Sequence, residues 1–215
     1  MSSFTLKILA LVTMAIDHTG ATLFPQAWPL RLIGRLAFPI YCFLLAEGFF
    51  YTSSRRRYFF RLALWGVLSE PCFDLAFYGS LWNFSHQNVF WTLLAGLGAM
   101  WILEALKDKP LLGIGAAACI ALAAEFLHTD YGAFGVLVIL IFYGLRGQKE
   151  ASLTVFALVN SGYGILQSFT QLAAIFACVP LWFYNGQRGP RLPKLLFYGF
   201  YPLHLLALWG LRMVL

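Results

Sequence analysis

Asp17 and His18 stand side by side in an otherwise apolar run that begins at Phe4. If the run is helical, the pair lies about 20 Å from its start. An ionisable group in such surroundings is costly, so it has a partner and commonly a function. Successive helical residues point about 100° apart, so the two need not touch. Asp17 shares a face with Thr13 and Gly20, and His18 with Thr22. An imidazole titrates near neutral pH and suits general acid–base work, with Asp17 orienting a partner. The structural role open to Asp17 is a helix-locking ion pair, with Arg35 as the basic partner.

Further polar groups interrupt the other apolar runs. Arg35 belongs to Arg31-Leu32-Ile33-Gly34-Arg35-Leu36-Ala37-Phe38-Pro39, where Gly34 permits close helix approach and Pro39 frees a backbone carbonyl. Its guanidinium suits an acidic partner or a developing oxyanion. Glu70 and Asp74 are four apart, on one helix face, with Pro71 between them. They could polarise His18 or hold a substrate amine; if both are buried, one carries a proton. His86-Gln87-Asn88 opens another apolar run, with Gln87 or Asn88 as its helix cap. His204 follows Pro202 in the last run, and Glu47 lies near the end of the second. Candidate catalytic residues are therefore Asp17, His18, Arg35 and Glu70. Candidate substrate contacts are Glu47, Asp74, His86, Gln87, Asn88 and His204. Arg55, Arg56, Arg57, Arg188 and Arg191 offer charge-assisted bonds to an anionic cofactor such as a coenzyme A phosphate, although topology alone would demand the same charges. The sequence has no glycine-rich nucleotide loop and no HExxH, and no metal is expected.

The elements that must position these groups read as membrane spans. A crossing helix needs about 20 apolar residues. Nine candidates run Phe4–Phe24, Leu30–Tyr51, Tyr58–Tyr78, Asn88–Leu106, Leu111–Leu127, Ala133–Leu145, Ala151–Leu166, Phe169–Tyr184 and Leu195–Val214. The sixth and seventh are short, so they are tilted partners or one of them is re-entrant. With the N-terminus in the cytoplasm and alternating spans, every basic residue except Arg31, Arg35 and Arg212 falls on the inner side. Seven or eight spans would force a basic loop across, so the positive-inside rule favours nine, N-in and C-out. The expected architecture is an all-α, polytopic transmembrane bundle forming one domain over residues 1–215.

Composition agrees. Hydrophobic residues make up 60% of the 215-residue chain and charged residues 11%, well under the roughly 25% of a soluble domain. The net charge of +6 lies in short loops, as topology signals do, which argues for lipid and against nucleic acid as a partner. Cys42, Cys72, Cys119 and Cys178 all lie in apolar runs without paired spacing, so they read as small core residues. Lys7 before an apolar run imitates a signal peptide, but Asp17-His18 interrupts that run and no cleavage site follows, so it is expected to be a retained first span.

Several blocks in order resemble one family. They are Leu6-Lys7-Ile8-Leu9-Ala10 leading to Ile16-Asp17-His18-Thr19-Gly20, the Arg31–Pro39 block, Glu47-Gly48-Phe49, Ser69-Glu70-Pro71 with Asp74, and Asn88-Val89-Phe90 with Thr92. Tyr184-Asn185-Gly186 with Arg188-Gly189, and Phe200-Tyr201-Pro202-Leu203-His204, complete the set. Together they resemble the TraX family, whose namesake is the pilin N-acetylase of conjugation systems. The resemblance implies a bacterial inner-membrane enzyme that moves an acetyl group from acetyl-CoA to an amine. The acceptor would be a pilin N-terminus or another envelope substrate. It implies kinship with membrane acyltransferases that take an acyl-CoA from the cytoplasm. His18 would then be the base, oriented by Asp17 or Glu70, and Arg35 or Asn88 the oxyanion donor. Two other classes are open: a proton-coupled transporter, which also needs buried ionisable groups, and a non-enzymatic pilus or envelope assembly factor.

Overall fold

Helix termini are set by local chemistry that the sequence displays. Ser2 Oγ accepts from Thr5 N to start α1 (Ser3–Thr22), Ser54 Oγ from Arg57 N to start α4 (Arg55–Tyr78), and Asn88 from Phe90 N to start α5 (Val89–Ala105). Each satisfies an amide that the first turn leaves without a partner. Gly79 ends α4 in the left-handed region at φ 68°, where a side chain would be strained. The remaining helices are α2 (Trp28–Gly34), α3 (Ala37–Tyr51), α6 (Pro110–Phe126), α7 (Gly132–Gly144), α8 (Lys149–Gln167), α9 (Cys178–Trp182) and α10 (Lys194–Arg212), with a 3-10 helix over Phe169–Ala177 between α8 and α9. This computed structural model describes residues 1–190 and 192–215. Among them the architecture is all-α, and the one extended pairing is an isolated bridge between Gln87 and Thr129.

Three of the expected runs take a different form. Leu30–Tyr51 is not one continuous helix but α2 and α3, broken at Arg35-Leu36. Pro39 has no N–H for the Arg35 carbonyl and its ring crowds that carbonyl, so the break falls there. Pro71 and Pro202, by contrast, sit within α4 and α10, which run through them. Ala151–Leu166 lies within a regular helix of 19 residues, α8. The irregular run is instead Phe169–Tyr184. It folds back along α8, with Asn160 Nδ2 donating to Gln171 O at 3.0 Å, Gln171 Nε2 donating to Asn160 Oδ1 at 3.0 Å, and Lys149 Nζ donating to Trp182 O at 2.9 Å. A 3-10 helix rises about 2.0 Å per residue against 1.5 Å for an α-helix, so this shorter stretch keeps pace with α8.

α1 and the Trp28–Tyr51 pair are each long and apolar enough to cross a membrane, and α5, α6, α7 and Phe169–Trp182 are apolar but shorter. Large apolar side chains face outward, including Leu64, Val67 and Leu68 on α4 and Leu111, Ile114 and Leu122 on α6. Contiguous apolar surface of this kind is uncommon on soluble monomers. The core is made by α1, α3, α4, α5, α7 and α10, through Leu6, Ile40, Phe49, Leu97, Ile139 and Leu205, all at most 1% exposed.

Candidate functional site

Two cavities lie back to back inside the bundle. The smaller, about 210 Å³, is lined by Asp17, His18, Arg31, Arg35, His86, Asp130 and Tyr131 among others; it is called here the histidine chamber. α1 and α2 bring its charges together because they approach closely. A methyl group at Gly34 would overlap the Asp17 carboxyl, and one at Gly20 would meet Leu30 Cβ at 2.8 Å. Arg31, not the expected Arg35, is the partner of Asp17: its Nη1 donates to Asp17 Oδ2 at 2.5 Å and to Asp17 O at 3.1 Å. Helical rotation decides this, since Gly34 occupies the place facing Asp17 and turns Arg35 toward α7. Arg35 Nη1 donates to the Tyr131 hydroxyl at 3.3 Å. Asp17 Oδ1 and Arg35 Nε are buried and have no hydrogen-bond partner among the described residues.

His18 is oriented by His204, not by Asp17 or Glu70. Its Nδ1 lies 2.7 Å from His204 Nε2, and His204 Nδ1 lies 2.7 Å from the Phe200 carbonyl. A carbonyl only accepts, so His204 Nδ1 carries a proton. Neutral His204 then has an accepting Nε2, and His18 Nδ1 must be the donor. The His18 Nε2 is thereby left with its lone pair, the form a general base requires. The two imidazole planes are within 6° of parallel with centroids 4.9 Å apart, and Phe77 and Tyr201 meet His18 edge-on at 5.5 and 5.7 Å.

The rim of this chamber is a pair of loops clipped together. Gln87 N donates to His128 O at 2.9 Å, Thr92 Oγ1 to Thr129 Oγ1 at 3.0 Å, and Tyr131 N to Thr92 Oγ1 at 3.2 Å. His86 Nε2 lies 3.2 Å from Asp130 Oδ1. That hydrogen bond, reinforced by the carboxylate charges of Asp130 and Glu70, raises the His86 pKa above the ordinary histidine value against the opposing effect of burial.

The larger cavity, about 640 Å³, is lined by Lys7, Arg57, Arg61, Arg188 and Lys194, with Glu47 as its one acidic side chain. Glu47 is already engaged, accepting from Arg146 Nε at 2.7 Å and from the Tyr184 hydroxyl at 3.3 Å. None of the five cations has a carboxylate partner among the described residues. The loop before α10 carries Arg188 here because Gln187 and Arg188 carbonyls accept from Ser3 N and Phe4 N at 2.8 and 3.0 Å, capping α1. A focused positive field in a cavity of this size suits a polyanion such as a phosphorylated cofactor. Met14, Tyr41, Val89 and Tyr201 line both cavities and form the wall between them.

The structure places other expected site residues elsewhere. Glu70 accepts from Asn88 N at 3.1 Å, Asn88 Nδ2 at 2.5 Å and Trp91 Nε1 at 2.5 Å, which fastens α5 to α4. Asn88 also donates to Gly66 O and caps Phe90 N, so its polar atoms are all occupied and it is not a free oxyanion donor. Asp74 accepts from Asn83 N at 2.8 Å, Gln87 serves the loop clip, and His204 stands behind His18, lining neither cavity. Glu47 lines the basic chamber instead of the histidine chamber. Arg57 and Arg188 line it as well, whereas Arg55 pairs with Glu104 at 2.7 Å and Arg56 lies over Phe60 at 5.7 Å. Arg191 lies outside the described residues. Sequence reasoning missed Arg31, Asp130, Lys7, Arg61, Lys194, Tyr41 and Tyr201 as site residues. The one available signal was Tyr201, a helical turn before His204 on the same face.

Comparison with known proteins adds an independent line. Residues 2–212 match the family described as TraX protein. A probable fimbrial assembly protein FimC, serogroup H1, of Dichelobacter nodosus is 29% identical over 240 residues, covering 100% of this chain and 97% of the relative. An uncharacterized protein of Rickettsia prowazekii (strain Madrid E) is 44% identical over 65 residues, covering 30% of this chain and 24% of its own length. No solved structure matches the chain.

Proposed function

The chain belongs to the TraX family, and from that premise we propose that it is a membrane-embedded acetyltransferase that acylates an amine with acetyl-CoA. Its nine expected crossings, N-in and C-out in a bacterial inner membrane, put the basic chamber toward the cytoplasm, where acetyl-CoA is made. Lys7, Arg57, Arg61, Arg188 and Lys194 are the residues that would hold the phosphates. The histidine chamber then faces outward and receives the acceptor. The family and the fimbrial-assembly relative support a pilus-associated role, so the acceptor proposed is the N-terminal amine of a pilin-like protein.

The observation that carries the reading is the Phe200–His204–His18 relay, which leaves an accepting Nε2 inside a chamber that shares a wall with a cationic one. The reaction it serves is balanced and simple. The amine nitrogen bonds to the thioester carbonyl carbon while His18 Nε2 takes its proton; the carbon–sulfur bond breaks, and the thiolate of coenzyme A receives that proton. Asp17 Oδ1, which has no partner among the described residues, would accept from the amine before it is deprotonated. His204 is a positioning residue, holding the His18 tautomer.

The test is radiolabelled acetyl transfer by the full chain in proteoliposomes, with acetyl-CoA inside and a pilin N-terminal peptide outside. Wild type should label the peptide amine, and His204→Phe should lower kcat with the KM for acetyl-CoA unchanged. Full transfer by His18→Ala would sink the assignment. Peptide or solute flux without acetyl-CoA would favour the transporter reading, to which back-to-back cavities also lend themselves. Normal pilus assembly after loss of His18 would favour the assembly role that the relative's name suggests.

A further inference from the structure

The wall between the chambers carries two groups that nothing above has used. Of its four residues, Tyr41 and Tyr201 end in buried hydroxyls: Tyr41 has no hydrogen-bond partner among the described residues, and Tyr201 has only the Val89 N–H nearby, which can donate to its oxygen but leaves its O–H proton without an acceptor. Tyr201 is 3% exposed. A buried hydroxyl without a partner is costly, and native proteins keep such groups where something else will satisfy them. The two come from different helices. Tyr41 is on α3, its ring 6.1 Å from that of Phe197. Tyr201 is on α10, its ring 5.7 Å from each of His18 and His204. Each borders the cavity of cations on one side and the cavity of His18 on the other. Phenols are neutral donors at physiological pH. They suit an acceptor that gains negative charge briefly, as a carbonyl oxygen does during acyl transfer.

Resting on the acetyltransferase reading, we propose that the Tyr41 and Tyr201 hydroxyls bind the carbonyl oxygen of the acyl thioester at this wall and are catalytic residues of the transfer. When the amine nitrogen bonds to the carbonyl carbon, the electron pair of the C=O bond moves onto that oxygen, and the two hydroxyls donate to it. When the C=O bond re-forms, the carbon–sulfur bond breaks and the proton held by His18 passes to the leaving thiolate. The two donors expected from sequence are less suited. Arg35 keeps an Nε without a partner among the described residues but lines only the histidine chamber and not the shared wall, and all the polar atoms of Asn88 are bonded elsewhere.

The test uses the full chain in proteoliposomes with Tyr41→Phe, Tyr201→Phe and the double variant, each of which keeps its ring and its packing. Every single variant should lose at least about tenfold in kcat, with only a small rise in the KM for acetyl-CoA because the phosphates, held in the other chamber, supply most of its affinity. A second readout is the binding of two inert analogues, S-acetonyl-CoA, which keeps a carbonyl, and S-ethyl-CoA, which has none. Wild type should prefer the first, and the double variant should bind the two alike. Full kcat in both single variants, or an intact preference in the double variant, would overturn the proposal while a dead His18→Ala enzyme still upheld the underlying reading. A wild-type chain that transfers no acetyl group would sink both.

Discussion

The basic chamber and the histidine chamber share a wall, yet they are built on opposite electrostatic logic. In the basic chamber five cations face one carboxylate that is already paired with Arg146. Its excess charge is left for a ligand to neutralise. In the histidine chamber each charge is nearly matched: Asp17 with Arg31, Asp130 with His86, Arg35 with a phenol. What remains without a partner among the described residues is a small number of directed atoms, Asp17 Oδ1 and Arg35 Nε, beside a His18 whose Nδ1 is committed to His204. The first arrangement suits binding of a polyanion by net field. The second suits orientation of a small polar group and movement of a proton. The difference teaches where affinity and where rate should be lost when each chamber is altered.

The sharpest division comes from His18. His18→Ala should reduce acetyl transfer by about 10²–10⁴-fold, the usual range for a general base, while leaving the affinity for coenzyme A at its wild-type value. Isothermal titration with coenzyme A beside the transfer assay separates the two. Equal loss of binding and rate would mean that the chambers do not divide the work. The converse experiment is Arg57→Ala with Arg188→Ala. Removing two charge-assisted contacts should raise the KM for acetyl-CoA by about 10–100-fold, with a smaller change in kcat and a shallower dependence on salt. An unchanged KM would show that the anion binds elsewhere.

A packing change probes how the histidine chamber is assembled. Gly34→Val should destabilise the chain by about 1–3 kcal/mol, the common cost of overpacking, because the side chain would occupy the Asp17 carboxyl position. Thermal melting in detergent would read it, and a melting temperature equal to wild type would mean that α1 and α2 are not in this contact. The smallest effect concerns the rim. The His86 pKa is raised by Asp130, so the clip contributes stability that is fully present below the unfolded histidine pKa and lost as pH rises through the folded one. Both side chains are about one-third exposed, at 35% and 31%, so the contribution is under about 1 kcal/mol. Wild type should lose about 1–3 °C in melting temperature relative to His86→Gln between about pH 6 and pH 8.5. Parallel curves for the two proteins would remove the clip from the account.

Apolar runs, caps and proline positions were legible as helices because each depends on residues within a turn or two. Asn88 marks a start that local hydrogen bonding decides, and Pro39 frees the carbonyl at which α2 and α3 part, whereas the Ser2 and Ser54 caps and the full break went unread. The irregular Phe169–Tyr184 run was not legible, since its Gln171 is held by Asn160 across from it on α8. The same limit applied to the site. His18 announces itself as a polar residue among apolar ones, but its partner lies 186 positions away, and spacing along one helix carries no information at that range. Arg35 was the expected partner of Asp17, and only the glycine contact settled that the Arg31 side of α2 faces the Asp17 carboxyl.

Local chemistry along the chain thus specified a set of apolar helices, the approximate bounds of most of them, and the anomaly of Asp17 and His18 within them. These follow from nearest-neighbour chemistry: hydropathy, capping and the missing N–H of proline. Only the tertiary structure decided that His204 sets the His18 tautomer, that Glu70 and Asn88 are spent on helix packing, and that Tyr41 and Tyr201 stand between two chambers. Those relations arise where helices distant in sequence meet, and only the packed bundle specifies which faces come together.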